Sequence, residues 1–272
     1  MDSRRRGHPY LAGRTPLAIA HRGGGEEHPE NTMAAFTAAV ELGYSHLETD
    51  VHLTRDKVLV AFHDEILDRV TDGHGRIADL TLVEVRRADA GYRFSPDGSG
   101  FPFRGRGLTV PTFEELLVTW PGIRINVDAK SEGSVAPLAA LIDRLGVADR
   151  VCAASFSDRR LRRFRRLSGG HVCTSMGTGA ITSARLASLI GRMPALGADC
   201  VQVPVAHRGI RIVDRRFIQA AHAGGLQVHV WTINDRATME RLVDLGVDGI
   251  MTDRPRLLRD MLIGRGLWAE HS

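Results

Sequence analysis

The stretch 17-LAIAHRGGGEEHPENTMAAFTAAVELGYSHLETDVHLTRDKVLVAFHD-64 contains three apolar runs that each stop on titratable side chains. The first ends in His21-Arg22-Gly23, the second in Glu48-Thr49-Asp50 and the third in His63-Asp64. Reactive groups gathered at the ends of strands read as a site. Between the first two runs, Asn31 is expected to cap a helix over TMAAFTAAVELG. Phe36 and Val40 there fall at helical spacing, and Gly43 supplies the stop.

Working outward, apolar β-branched runs recur at 123–127, 151–156, 171–176, 200–205, 226–233 and 249–252. With the strands that carry His21 and Glu48 they make eight. Most are separated by stretches of helical periodicity such as VAPLAALIDRLG, DRRFIQAAHAGG and ATMERLVDLG. Eight strands alternating with helices predict a parallel sheet closed on itself, the α/β fold class as a (β/α)8 TIM barrel. A doubly wound sheet is disfavoured, because GGG at 23–25 does not fit its glycine fingerprint.

One interval breaks the rhythm. Residues 51–122 separate the second and third barrel strands, which predicts an insertion after the second strand, at about 65–110, carried over the mouth of the barrel. The VLVAFHD strand enters it. Residues 1–16, rich in Arg, Gly and Pro, are expected to be a poorly ordered tail, with the barrel running over 17–272.

At 272 residues the chain suits one such barrel, and 43% hydrophobic with 25% charged residues excludes disorder on composition. The net charge of +4 is mildly basic and favours anionic substrates or surfaces without implying nucleic acid. No segment has the roughly 18 uninterrupted apolar residues of a membrane span, and the N-terminus lacks the apolar core of a secretion signal, so a cytoplasmic location is expected. A transient membrane-surface contact and the oligomeric state stay open. Cys152, Cys173 and Cys200 have no metal-like spacing and lie in apolar stretches, so they are expected to be buried thiols that pack as small hydrophobes.

Glu48 and Asp50 are two apart on a strand, so both leave the same face. Asp128, at the end of INVDAK, would meet them in a closed barrel. Three carboxylates without a nearby Cys favour one hard divalent cation, Mg²⁺ or Ca²⁺ with Mn²⁺ also admissible, over zinc. Ordinary acids that cap helices or pair with arginines would look the same at this spacing. His21 and His63 can both take and give a proton near neutral pH, which is the pair that cleaving a phosphodiester needs. Arg22 and Lys130 would neutralise charge on the phosphoryl oxygens.

Taken in order, HRG (21–23), PENT (29–32), AF (35–36), ETDV (48–51), Thr54, Asp56 and HD (63–64) resemble the glycerophosphodiester phosphodiesterase family. The similarity continues through Arg69, Thr71, Gly73, Gly75, Pro111-Thr112, Asp128, Lys130, residues 231–234 and GVDGIMTDRP (246–255), and so spans about 17–257. The resemblance implies a (β/α)8 barrel, a divalent cation and hydrolysis of glycerophosphodiesters to glycerol 3-phosphate and an alcohol such as choline or ethanolamine. It implies His21 and His63 as catalytic residues, Arg22 as the phosphate ligand, and Glu48 and Asp50 as metal ligands. The third metal ligand in the family is usually a glutamate two residues before lysine; here Asp128 precedes Lys130, one methylene shorter.

Trp231 matches the family's aromatic wall for the substrate's glycerol or alcohol group. AHRG recurs at 206–209 without a following ExD, so His207 is expected to be a loop residue. The arginine run at 159–166 interleaves with Leu161, Phe164 and Leu167 and reads as a solvated helix face above a buried stripe. Two other functions compete with the glycerophosphodiesterase reading. A lysophospholipase D would need an apolar track, which Tyr92, Phe94, Phe101 and Phe103 could supply; a non-catalytic phosphodiester-binding barrel would have lost turnover.

Overall fold

In the computed structural model, which describes residues 7–268, the strands are β1 (Leu17–Ala20), β2 (His46–Leu53), β3 (Leu59–Ala61), β4 (Arg124–Ala129), β5 (Val151–Ala154), β6 (Cys173–Thr174), β7 (Cys200–Val203), β8 (Ala206–His207), β9 (Ile210–Arg211), β10 (Gln227–Val230) and β11 (Gly249–Thr252). Eight of them lie parallel in the order β6-β5-β4-β2-β1-β11-β10-β7, with β3 antiparallel on β2 and β8–β9 a separate hairpin. The two ends of this path, β6 and β7, share no ladder. Asp199 joins them instead: its N–H donates to the Thr174 carbonyl at 2.9 Å, and its carboxylate accepts from the Thr174 N–H at 2.8 Å. The expected eight-stranded barrel is therefore present and nearly closed.

Strand alternation explains the layering. Val201, Val203, Val228, Val230 and Ile250 are buried in one cluster with residues of the surrounding helices, among them Phe217, Met239, Leu242 and Leu258. Their neighbours on the other pleat, such as Gln202 and His229, occupy the barrel interior and are mostly polar. Such a barrel needs an apolar outer pleat under its helices, and its inner pleat is free to carry chemistry.

The first helix, α1 (Met33–Glu41), starts one residue later than expected. Its cap is Thr32, whose hydroxyl accepts the Ala35 N–H at 3.2 Å, and Asn31 instead takes a left-handed conformation at φ 56°. The insertion builds its own small core from Leu67, Ile77, Val85, Ala88, Ala90 and Val110 against Val60 and Phe62. Its aromatic residues pack on themselves and on the neighbouring loop: Phe94 on Phe103 at 5.5 Å, Phe103 on His28 at 5.7 Å, and Arg104 over both Tyr92 and Phe101.

Part of the expected tail is built into the fold. Residues Pro9–Leu11 form a 3-10 turn, and Tyr10 and Leu11 are buried under the barrel against the three cysteines. Residues 1–6 of that segment, and 269–272 at the other end, lie outside the described residues. In the arginine-rich helix (Asp158–Leu167), Leu161 and Phe164 are buried as expected, but Leu167 is 52% exposed at its end.

The Arg and Gly of the two HRG triplets share left-handed φ values, although His21 begins a 3-10 turn and His207 lies in β8. Arg22 and Gly23 have φ of 52° and 82°, and Arg208 and Gly209 have 48° and 80°. The shared triplet thus encodes a left-handed turn, and only the first sits at the mouth of the barrel. A Cβ at Gly23 would lie 2.8 Å from the Ala35 Cβ and 2.9 Å from the Phe36 nitrogen, whereas one at Gly209 would meet nothing within 4 Å. Left-handed backbone alone costs an alanine about 1 kcal/mol, and overpacking adds about 1–3 kcal/mol. Urea unfolding is expected to show a loss of about 1 kcal/mol for Gly209→Ala and about 2–4 kcal/mol for Gly23→Ala; equal losses would mean that the packing around Gly23 yields freely.

Candidate active site

A cavity of about 160 Å³ opens at the ends of the parallel strands and is lined by His21, Arg22, Glu48, Asp50, His63, Asp128, Lys130 and Trp231. All eight residues singled out in the sequence thus meet in one place. The β2–β4 register sets Asp50 directly beside Asp128, so the shorter side chain still reaches the carboxylate layer.

Glu48 and Asp50 are buried, and their mutual repulsion decides much of the local chemistry. Burial and the Asp50 charge push the Glu48 carboxyl up to about 7, against the pull of His21, Arg22 and Lys130. Burial also disfavours the Asp50 charge, but Lys130 and Arg22 outweigh it and hold that carboxyl below its ordinary range. Lys130 Nζ lies 2.8 Å from Asp50 Oδ1 and 2.8 Å from Asp128 Oδ2. Arg22 approaches from the other side, with Nε 3.2 Å from Asp50 Oδ2, while its backbone N–H donates to Glu48 Oε2 at 3.1 Å. Asn31, released from capping, donates to Asp50 Oδ2 at 3.3 Å.

Each histidine is held from behind by an aspartate. His21 Nδ1 donates to Asp253 Oδ1 at 2.7 Å, with Nε2 3.7 Å from Glu48 Oε2. Burial pulls the His21 pKa down, yet Glu48 and the Asp253 hydrogen bond outweigh it and raise the pKa above its ordinary value. His63 Nδ1 donates to Asp64 Oδ1 at 2.5 Å, and Asp64 in turn accepts from Arg69 Nε at 2.5 Å. With Nδ1 committed to a carboxylate, Nε2 of each ring is the nitrogen that can exchange a proton. Glu30 accepts from Arg69 and from Arg22 Nη1 at 3.0 Å, which links the two histidine arms across the mouth.

Four supporting residues were not assigned from the sequence. Asp253 directly follows β11 as His21 directly follows β1, and that signal was available in GIMTD. Asn234 donates to Asp253 Oδ2 at 2.9 Å and accepts the Asp253 N–H at 2.9 Å, which fixes the carboxylate behind His21. His52 donates to the His63 carbonyl at 3.0 Å. Phe156, after β5, packs edge-on to Trp231 at 5.8 Å.

The apolar side of the cavity comes from Phe156, Trp231, Met176, Ile181 and Met251. Tyr92, Phe94, Phe101 and Phe103 do not line it; they contact one another, Arg104 and His28 instead. His207 is exposed on the β8–β9 hairpin and takes no part. Among the described residues, no helix is long and apolar enough to cross a membrane.

Residues 21–257 match the glycerophosphoryl diester phosphodiesterase family. A probable glycerophosphodiester phosphodiesterase of Mycobacterium tuberculosis is 38% identical, over 93% of this chain and 92% of that protein. A human lysophospholipase D is 28% identical over 90% of this chain and 85% of its own length. The structure of an Oleispira antarctica phosphodiesterase in complex with the product sn-glycerol-3-phosphate superposes with a TM-score of 0.75 at 25% identity, over 91% of this chain and 97% of that one. With the match spanning both histidine arms and the carboxylate layer, the chain belongs to the glycerophosphoryl diester phosphodiesterase family.

Proposed function

We propose that this phosphodiesterase hydrolyses glycerophosphodiesters to glycerol 3-phosphate and an alcohol, with His21 and His63 as its acid–base pair. The observation that carries the assignment is that each ring lines the same cavity and has its Nδ1 tied to an aspartate, Asp253 or Asp64. One imidazole takes the proton of the attacking oxygen and the other gives one to the departing alkoxide, a contribution worth roughly 10²–10⁴-fold for each general acid or base. Arg22 and Lys130 face the phosphoryl oxygens as fixed positive charges. Trp231 and Phe156 cover the organic part of the substrate.

The carboxylate layer suits one hard divalent cation, held by Glu48, Asp50 and Asp128. All donors are oxygens, Asp128 Oδ1 is buried without a hydrogen-bond partner, and the repulsion that raises Glu48 is the kind a cation relieves. Such an ion supplies Lewis-acid polarisation of a phosphoryl oxygen. Mg²⁺, Ca²⁺ and Mn²⁺ all fit this donor set.

A small headgroup is favoured over a lysolipid by the cavity's volume of about 160 Å³, below the ~300 Å³ of ordinary ligand pockets. The exposed edge of Phe156, at 58%, is what supports the lysophospholipase D reading. Turnover of glycerophosphocholine and lysophosphatidylcholine, followed with each cation, separates the two: the first is expected to be preferred. Binding of the diester with no release of glycerol 3-phosphate would leave a binding barrel instead.

His21→Ala and His63→Ala are each expected to lower kcat by at least about 10²-fold, with His207→Ala close to wild type. Asp253→Asn removes a carboxylate that raises the His21 pKa, so a histidine NMR titration is expected to show that pKa shifted downward; an unmoved value would sink the proposed coupling.

The raised Glu48 also has a signature in metal-free protein. Its folded pKa of about 7 lies above the unfolded carboxylate value, so the native state binds the extra proton between the two. Stability is then expected to fall as pH rises from the carboxylate range to about 7, the reverse of the usual paired acid. Thermal midpoints in chelator should show this slope, and Glu48→Gln should flatten it.

A further inference from the structure

Three thiols far apart in sequence meet inside the barrel, on the side of the strands away from the phosphodiesterase cavity. The Cys152, Cys173 and Cys200 sulfurs all lie within 4.8 Å of one another, with Cys152 and Cys200 3.9 Å apart. All three are buried and free of disulfides. We propose that Cys152, Cys173 and Cys200 form a buried three-sulfur site for one thiophilic cation of the Zn²⁺ class that staples β6 to β7. His229, beside Cys200, stands outside the cluster and would supply a fourth donor only by shifting toward the ion.

The geometry matches that chemistry. Tetrahedral bonds of ~2.3 Å to sulfur place neighbouring sulfurs about 3.8 Å apart, which is the Cys152–Cys200 separation within 0.1 Å. His229 is wholly buried and faces Cys200, and its Nδ1 has no hydrogen-bond partner. Its Nε2 is held by Gln227 Oε1 at 3.1 Å, the second tie that orients a ligating imidazole and leaves the other nitrogen for the metal. Room for the ring is provided by Gly249, where a Cβ would lie 2.8 Å from His229 Cδ2.

Two further observations point the same way. Tyr10, packed against the thiols, buries its hydroxyl with no hydrogen-bond partner, and Gln202 Nε2 stands 4.0 Å from Cys152 Sγ. Both are donors suited to thiolate sulfur. If the thiols only packed as small hydrophobes, the Tyr10 hydroxyl and His229 Nδ1 would be left buried with their hydrogen-bonding capacity unmet.

The location supplies a purpose. Cys173 lies on β6 and Cys200 on β7, the two strands that share no ladder, and Cys152 on the adjoining β5. A cation there would tie together the one seam of the barrel that backbone pairing leaves to Asp199. Soft sulfur donors reject Mg²⁺ and Ca²⁺, so this site and the carboxylate layer would not compete for the same ion.

Because the thiols are buried, the ion must enter during folding, so the test is the full chain produced in cobalt-supplemented medium. The expected result is one cobalt per chain that gives a sulfur-to-cobalt charge-transfer band and the intense visible bands of tetrahedral Co²⁺. These signals should persist in Asp128→Asn and disappear in Cys200→Ala. Protein grown in zinc medium should retain one zinc through dialysis against chelator and lose at least about 5 °C in Tm with Cys173→Ala. A wild-type cobalt protein without a thiolate band, or one whose three thiols all react freely on unfolding with no metal released, overturns the proposal. The wild-type spectrum decides this even if a variant fails to fold.

Discussion

Glu48 and Asp50 are buried on the same face of one strand, and most of the site can be read as the response to that repulsion. Two adjacent carboxylates in a dry interior cannot both stay charged unless positive groups or a cation accompany them. Arg22 is brought in by a left-handed turn, Lys130 by the next strand in the sheet, and Asn31 by giving up the helix cap to Thr32. His21 completes the ring of partners, and its raised affinity for a proton is a by-product of the same field. The proposed acid–base residue His21 and the carboxylate layer are therefore parts of one electrostatic unit.

The parts of this unit that come from short-range pattern were legible in the chain. Eight apolar runs with helical intervals gave the barrel, and the i, i+2 spacing of Glu48 and Asp50 put both on the inner pleat. Asp128 was harder, because its place depends on a ladder across more than seventy residues of sequence; the β2–β4 register settles that place by pairing it with Asp50. The recurrence of HRG shows the limit of motif reading. In both copies the Arg and Gly are left-handed, and only the neighbours of the first make it part of a site.

What escaped the sequence reading has a common physical cause. Asp253, Asn234 and His52 act on the histidines through side chains whose meeting depends on closure of the barrel and not on spacing within a segment. The aromatic residues of the insertion misled for the complementary reason. Composition placed Tyr92, Phe94, Phe101 and Phe103 near the mouth, but they pair with one another, with Arg104 and with His28, away from the cavity lining. The apolar wall comes instead from Phe156 and Trp231, which stand at the ends of barrel strands.

Parallel register also explains why the thiols could not be anticipated as a group. Cys152 and Cys173 are ladder partners, and Cys200 opens the strand across the seam, so spacings that look meaningless along the chain become contacts around the barrel. The interior is thereby divided into two layers of opposed chemistry. Oxygen donors face the cavity, while sulfur and imidazole lie beneath them. Between the two, Gln202 Nε2 donates to Asn126 Oδ1 at 2.7 Å, a buried amide pair that satisfies itself and offers its remaining N–H to Cys152. This neutral pair stands between the thiols and the carboxylates of Glu48 and Asp50, whose own repulsion sets the limits of the site.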